Sequence, residues 1–188
     1  AYLGLGQATT ALNSLNKAIE IDSRAQEAFV ARGETYLILA NSAAAGKDFD
    51  AALRLGATVD LRLRIGKAYY DVGDYDSAVA EFKRAAANAP NLFEPNYRLG
   101  LAQNKAEAYA DGARSLTDAL DQATTEAEKF DALYQRALAY NGAGESEKTI
   151  ADLGDLLLLN VTDRDEDRAA AAKLSADLGG PQPGITNT

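Results

Sequence analysis

The stretch from Ile65 to Pro90 reads IGKAYYDVGDYDSAVAEFKRAAANAP, and its apolar and polar residues alternate at a helical rather than a strand period. Gly73 followed by Asp74 indicates the end of one helix and a turn, because glycine often follows a helix C-terminus and aspartate caps the next helix. Pro90 disfavours helical backbone at Ala89. The pattern therefore predicts a helix, a tight turn, a second helix and a short connection.

The same spacing recurs along the chain, so the helix pair is a repeated unit. Counted from Gly66, Tyr69 lies three residues on, Ala78 twelve, Phe82 sixteen and Ala85 nineteen. Small residues let two antiparallel helices approach closely, and aromatic residues fill the space between neighbouring pairs. Helices of this length are marginal alone and become stable by stacking. The equivalent starting positions, 33, 34 and 37 residues apart, are Gly33, Gly66, Gly100 and Ala137.

These residues closely resemble the tetratricopeptide repeat, a helix-turn-helix unit of about 34 residues with small, Tyr, Ala, Phe, Ala and Pro landmarks at this spacing. The match is specific over residues 59–92 and good over 26–58. It is weaker over 93–160, where Gln103 replaces the Tyr and Thr149 the Ala. The resemblance implies an all-α fold, a right-handed α-solenoid of antiparallel helix-turn-helix repeats.

The resemblance also implies a division of the chain into about five units over residues 1–160. Units begin near 26, 59, 93 and 130, and the first unit is incomplete, since Tyr2 already occupies a late position of its first helix. The apolar run Leu156 to Leu159 needs cover, which predicts a capping helix within 161–178, over Asp165 to Leu178. Residues 179–188 are predicted to be a disordered tail.

Composition excludes several classes of function. The net charge of −9 and pI near 4.6 argue against nucleic acid or an anionic membrane surface as partners. The chain has neither Cys nor His, which removes the usual metal ligands, nucleophile pairs and general base. We therefore expect no metal, no cofactor and no enzymatic activity. No apolar run approaches the roughly 20 residues of a membrane helix, so membrane insertion is not expected.

Two further features have simple interpretations. The acids on alternate residues of Asp163 to Asp167 resemble a calcium loop, but Arg168 stands where its glycine belongs and Leu174 where its glutamate belongs. We interpret them as the acidic first turn of a helix. The chain begins at Ala1 and has no Met, so we expect it to be a processed or excised part of a longer protein, from which a targeting segment was removable.

In the resembling family, the first helix of each unit lines a concave groove, and set positions on it contact bound peptides. Val30 and Leu63 fall at such a position, although packing in the core explains them at least as well. The rest of the surface is apolar and aromatic towards the second half, with two asparagines able to bond a peptide backbone. The predicted groove residues are Lys67, Tyr70, Tyr97, Leu101, Asn104, Tyr134, Leu138 and Asn141.

The second residue of each complete unit is acidic, namely Glu27, Asp60, Glu94 and Asp131. These acids could face a basic partner. Two of them instead precede an arginine by four residues, Asp60 before Arg64 and Glu94 before Arg98, which is a helix-stabilising arrangement.

The sequence thus favours a protein-interaction module or assembly scaffold whose preformed groove holds an extended or helical segment of another protein. The alternative is a structural or oligomerisation arm of a longer protein that uses its outer face. The incomplete first unit also leaves an open N-terminal end, through which copies could self-associate.

Overall fold

The computed structural model describes the backbone of residues 2–180 and the side chains of residues 6–180. The described residues form ten helices and no strand. They divide into two compact units that meet between Asn88 and Ala89. The last eight residues of the predicted tail, 181–188, lie outside the described part. The helices are α1 (Tyr2–Ile21), α2 (Gln26–Ile38), α3 (Ser42–Leu55), α4 (Val59–Asp71), α5 (Tyr75–Asn88), α6 (Phe93–Lys105), α7 (Tyr109–Gln122), α8 (Glu126–Gly142), α9 (Ser146–Leu158) and α10 (Asp165–Asp177).

In the first unit α2 pairs with α3 and α4 with α5, while α1 packs on α2 and α2 on α4. Gly73 adopts a positive φ of 82° at the turn between α4 and α5, a conformation that favours glycine. Asp74 then caps α5, because its Oδ1 accepts a hydrogen bond of 3.1 Å from the Ser77 backbone amide. The turn predicted from Gly73 and Asp74 is confirmed.

Glycine at the repeat landmarks makes room for a large ring or side chain of the partner helix. A Cβ atom added at Gly66 would lie 2.6 Å from Cε1 of Phe82, and one added at Gly33 would lie 2.5 Å from Cε1 of Phe49. The close approach is therefore to the residue sixteen positions on, which is almost completely buried in both pairs. Ala78, twelve positions on from Gly66, is fully buried.

In the second unit α6 pairs with α7, α8 packs on α6, α7 and α9, and α10 packs on α9. The helix α8 begins at Glu126, before position 130, because Thr125 and Glu128 form a capping box that holds its first turn. The helix α10 lies in the segment expected to cap the array and contributes Ala171 to the core. That core consists of Phe130, Leu133, Ala137, Leu153, Leu156 and Ala171. The predicted all-α fold of helix-turn-helix repeats is confirmed.

Two buried arginine–aspartate pairs tie helices together in the same way, one in each unit. Arg32 on α2 donates two hydrogen bonds of 2.7 Å to Asp48 on α3 and a third, of 2.8 Å, to Asn16 on α1. Arg136 on α8 donates bonds of 2.8 and 2.7 Å to Asp152 on α9 and one of 3.0 Å to Thr117 on α7. Each guanidinium therefore joins its own helix pair to the preceding helix.

A related pair lies between α4 and α5, where Arg62 contacts Glu81 at 2.7 Å. The acids Asp48, Glu81 and Asp152 occupy equivalent positions of their repeats, and all three are buried. The hydrogen bonds to Asp152 raise the pKa of the Arg136 guanidinium, which outweighs the opposing effect of burial. The sequence analysis had assigned most acids to turns and exposed positions, which is wrong for these three.

Candidate functional site

A cleft of about 250 Å³ lies between α2 and α4, the first helices of two consecutive repeats. Its apolar part includes Ile38 and Val72, whose side chains remain 68 % and 46 % exposed. Such exposure of large aliphatic groups in a concave surface favours a contact with another molecule. The lining residues are Glu34, Leu37, Ile38, Arg64, Lys67, Ala68, Asp71 and Val72.

Ion pairs surround this apolar surface. Arg64 contacts Glu27 at 2.6 Å and Glu34 at 2.7 Å, and Lys67 contacts Asp71 at 2.5 Å. All these groups are partly or largely exposed, so the pairs contribute little to stability. They leave the cleft with an apolar floor and a charged rim, an arrangement that suits an apolar side chain of a partner and provides no nucleophile next to a base.

Of the predicted groove residues in the first unit, only Lys67 lines the cleft. Tyr70 packs edge-on against Tyr75, with ring centroids 5.4 Å apart. The sequence analysis missed Ile38 and Val72. They carried a usable signal, because they lie 34 residues apart and each is a large aliphatic residue near the end of a first helix.

In the second unit the predicted residues lie on α6 and α8. Tyr97 stacks on Phe93 with ring centroids 5.1 Å apart. Tyr134 packs beside Phe130, at 6.4 Å, and against the core. The side chains of Tyr97, Leu101, Tyr134 and Leu138 are half-buried, and that of Asn141 is exposed.

Asn104 has an internal partner. Its Nδ2 donates a hydrogen bond of 2.9 Å to the carbonyl oxygen of Gln135, which links α6 to α8. Its Oδ1 is buried, and a Cβ atom added at Gly112 would lie 2.1 Å from it. The Asn104 amide is thus used between helices, and a bond to a peptide would require breaking this contact.

The acids at the second position of the units are mostly paired. Arg98 contacts Glu94 at 2.7 Å, and Arg164 contacts Asp131 at 2.9 Å. The expected pair of Asp60 with Arg64 is wrong, because Arg64 reaches across to Glu27 and Glu34 on the preceding first helix. These acids do not form a continuous free surface for a basic partner.

Burial raises the pKa of the Tyr97 phenol from 10.0 to about 12, and the nearby Asp131 carboxylate adds to the effect. We expect Tyr97 to be among the last tyrosines to ionise. Because its pKa is higher in the folded state, this contribution to stability is present below pH 10 and is lost as the pH rises through 12. An alkaline titration of tyrosinate absorbance should lose its latest phase in Tyr97→Phe. A late phase that persists in this variant, or that also appears in the urea-unfolded protein, would contradict the assignment.

The described side chains contain no group of three or more acids that could hold a metal ion. Within residues 2–180 no helix is long and apolar enough to cross a membrane.

Comparison with known proteins agrees with this geometry. A family model described as tetratricopeptide repeat matches residues 59–92. Among solved structures, the chain is similar to YrrB, a TPR protein with an unusual peptide-binding site, with a TM-score of 0.67 and 21 % identity over 90 % of this chain and 85 % of YrrB.

The chain is also similar to MamA, with a TM-score of 0.63 and 18 % identity over 89 % of this chain and 92 % of MamA. For MamA from Desulfovibrio magneticus RS-1 the TM-score is 0.54 and the identity 22 %, over 82 % and 93 % of the two chains. No curated protein sequence matches the chain significantly. From the repeat at residues 59–92 and the fold shared with these proteins, we conclude that the chain is a tetratricopeptide-repeat protein.

Proposed function

We propose that the chain is a non-catalytic interaction module that holds a segment of another protein on the exposed faces of its first helices, α2, α4, α6 and α8. The observation that carries the proposal is the cleft between α2 and α4, with its exposed Ile38 and Val72. The peptide-binding site ascribed to YrrB supports it by analogy of fold. In this proposal the repeats begin near 26, 59, 93 and 130, and α10 caps the last one.

The partner segment would place an apolar side chain in the cleft, between the aliphatic groups and beneath the ion-paired rim. In the second unit, Tyr97, Leu101, Tyr134 and Leu138 would provide further apolar contact, and the exposed Asn141 amide would bond the segment's backbone. The helices that carry these residues are already packed, so the protein itself loses little freedom on binding.

Peptides selected from a random phage-displayed library against the wild-type chain test the α2–α4 contact. We expect the double variant Ile38→Glu with Val72→Glu to bind the selected peptides at least about tenfold more weakly, because two carboxylates would enter an apolar anchor site. Fluorescence anisotropy of the labelled peptides measures the change. Both side chains are exposed, so the fold should survive, which circular dichroism checks.

The matched control is Ile21→Glu, since Ile21 is 79 % exposed at the end of α1 and does not line the cleft. It should leave peptide affinity unchanged. Equal binding by the wild type and the cleft variant would contradict the proposal for the first unit. Loss of binding in the control alone would favour the alternative, in which exposed aliphatic residues such as Ile21 and Leu158, 84 % exposed, join the chain to another protein or copy.

A further inference from the structure

The acidic charge of the protein is concentrated in the second unit. Residues 1–88 carry 10 Lys and Arg against 11 Asp and Glu, a net charge of −1. Residues 89–188 carry 9 Lys and Arg against 17 Asp and Glu, a net charge of −8. A potential of this kind attracts basic segments, repels acidic ones and affects the rate of association. The two units therefore present different electrostatic surfaces to a partner.

Within the second unit, acids border the aromatic face formed by Tyr97 and Leu101 on α6 and by Tyr134 and Leu138 on α8. Asp131 lies on α8 and is paired with Arg164, at 2.9 Å, with both side chains about one-third exposed. Asp167 on α10 acts electrostatically on both Asp131 and Tyr134. Tyr97 is influenced by Asp131 and Arg164, so both phenols lie near this group of charges.

The cations at this face do not fully offset the acids. Burial raises the pKa of Asp131, and Asp167 adds to that rise, while Arg164 only partly opposes it. On the neighbouring helix Glu94 is matched by Arg98. The guanidinium of Arg164 also lies 5.9 Å from the Phe130 ring centroid. The charged groups facing the tyrosines are thus three acids, Glu94, Asp131 and Asp167, against Arg98 and Arg164.

We infer that the segment held on the α6–α8 face is basic, with lysine or arginine beside its apolar residues, so that its cations lie near the Tyr97 and Tyr134 rings and near Asp131 and Asp167. Carboxylates at the edge of an apolar contact attract such cations, and tyrosine rings add a cation–π contribution. An acidic segment with the same apolar residues would be repelled. This inference rests on the proposed function and specifies the chemistry of the partner for the second unit.

Two synthetic peptides with the same leucine and tyrosine positions test the inference, one with lysine and the other with glutamate at every other polar position. We expect the lysine peptide to bind the wild-type chain and the glutamate peptide to bind at least about tenfold more weakly. The double variant Asp131→Asn with Asp167→Asn should weaken the lysine peptide about tenfold and flatten the dependence of its affinity on salt. Asp167→Asn alone leaves the Asp131–Arg164 pair in place and should show part of both effects.

The matched control is Asp118→Asn with Asp121→Asn, which removes two charges from exposed positions of α7. It should change affinity less than about twofold if the contact is local. Equal losses in the control and in the test variant would overturn the inference, as would tighter binding of the glutamate peptide.

The variant Leu101→Glu separates this inference from the proposed function. If the glutamate peptide binds best and Leu101→Glu abolishes its binding, the aromatic face still holds a segment but the basic partner is wrong. If the lysine peptide binds wild type and Leu101→Glu equally well and is insensitive to Asp131→Asn with Asp167→Asn, both the face and the inference are wrong.

Discussion

Phe82→Ala is expected to lower the free energy of unfolding by about 3–5 kcal/mol, the cost of truncating a fully buried aromatic side chain. Phe82 is 1 % exposed and lies against Gly66 on the partner helix, which has no Cβ atom to fill the space that the ring would leave. The loss therefore combines lost burial of the ring with a cavity at the point where α4 and α5 approach most closely.

Urea unfolding followed by circular dichroism measures this change. Because the chain forms two compact units, the transition must first be tested for two-state behaviour with a second probe, such as near-ultraviolet circular dichroism. Val72→Ala is the control in the same unit, since Val72 is 46 % exposed, and it should change stability by less than about 0.5 kcal/mol. A cost below about 1 kcal/mol for Phe82→Ala would show that the ring does not hold the helix pair together.

The fold was predictable because each repeat carries its own local signals. Gly73 and Asp74 specify a turn and a cap by backbone preference alone, and the small and aromatic residues specify which helix faces meet. These signals act within one helix pair, so they can be read without knowledge of the rest of the chain. The capping box of Thr125 and Glu128 is equally local and fixes the start of α8.

The polar contacts were less predictable because they depend on how helices approach in three dimensions. Arg64 was expected to pair with Asp60 one turn away, but it binds Glu27 and Glu34 on another helix. Asn104 was expected to face a peptide and instead bonds the backbone of α8. In both cases a long polar side chain reached an acceptor that helical spacing within its own segment does not indicate.

The groove residues show the same division. Their assignment by family position identified surfaces on α4, α6 and α8, yet the cleft with exposed aliphatic groups is formed by Ile38 and Val72 near the ends of α2 and α4. A position-by-position comparison of the repeats would have found them, since both are large aliphatic residues at the same 34-residue interval. Their exposure could only be read from the packed structure.

Arg136→Leu is expected to destabilise the second unit by about 3–5 kcal/mol, because it leaves the Asp152 carboxylate buried without its cation. Asp152 is 5 % exposed and accepts two of the three side-chain bonds that Arg136 donates. The third, to Thr117, is less costly to lose, since the Thr117 hydroxyl also donates to the carbonyl oxygen of Ala113. The cost should therefore come mainly from the unpaired carboxylate.

A double-mutant cycle with Asp152→Leu separates this cost from loss of packing. Since leucines can replace a buried ion pair with little loss, Arg136→Leu with Asp152→Leu should recover most of the stability in urea unfolding. The control is Arg114→Leu, which breaks the exposed pair of Arg114 with Asp111 and should cost less than about 1 kcal/mol. If the double variant is as unstable as Arg136→Leu, the guanidinium acts through its packing between α7, α8 and α9, and the paired charge is not what the fold requires.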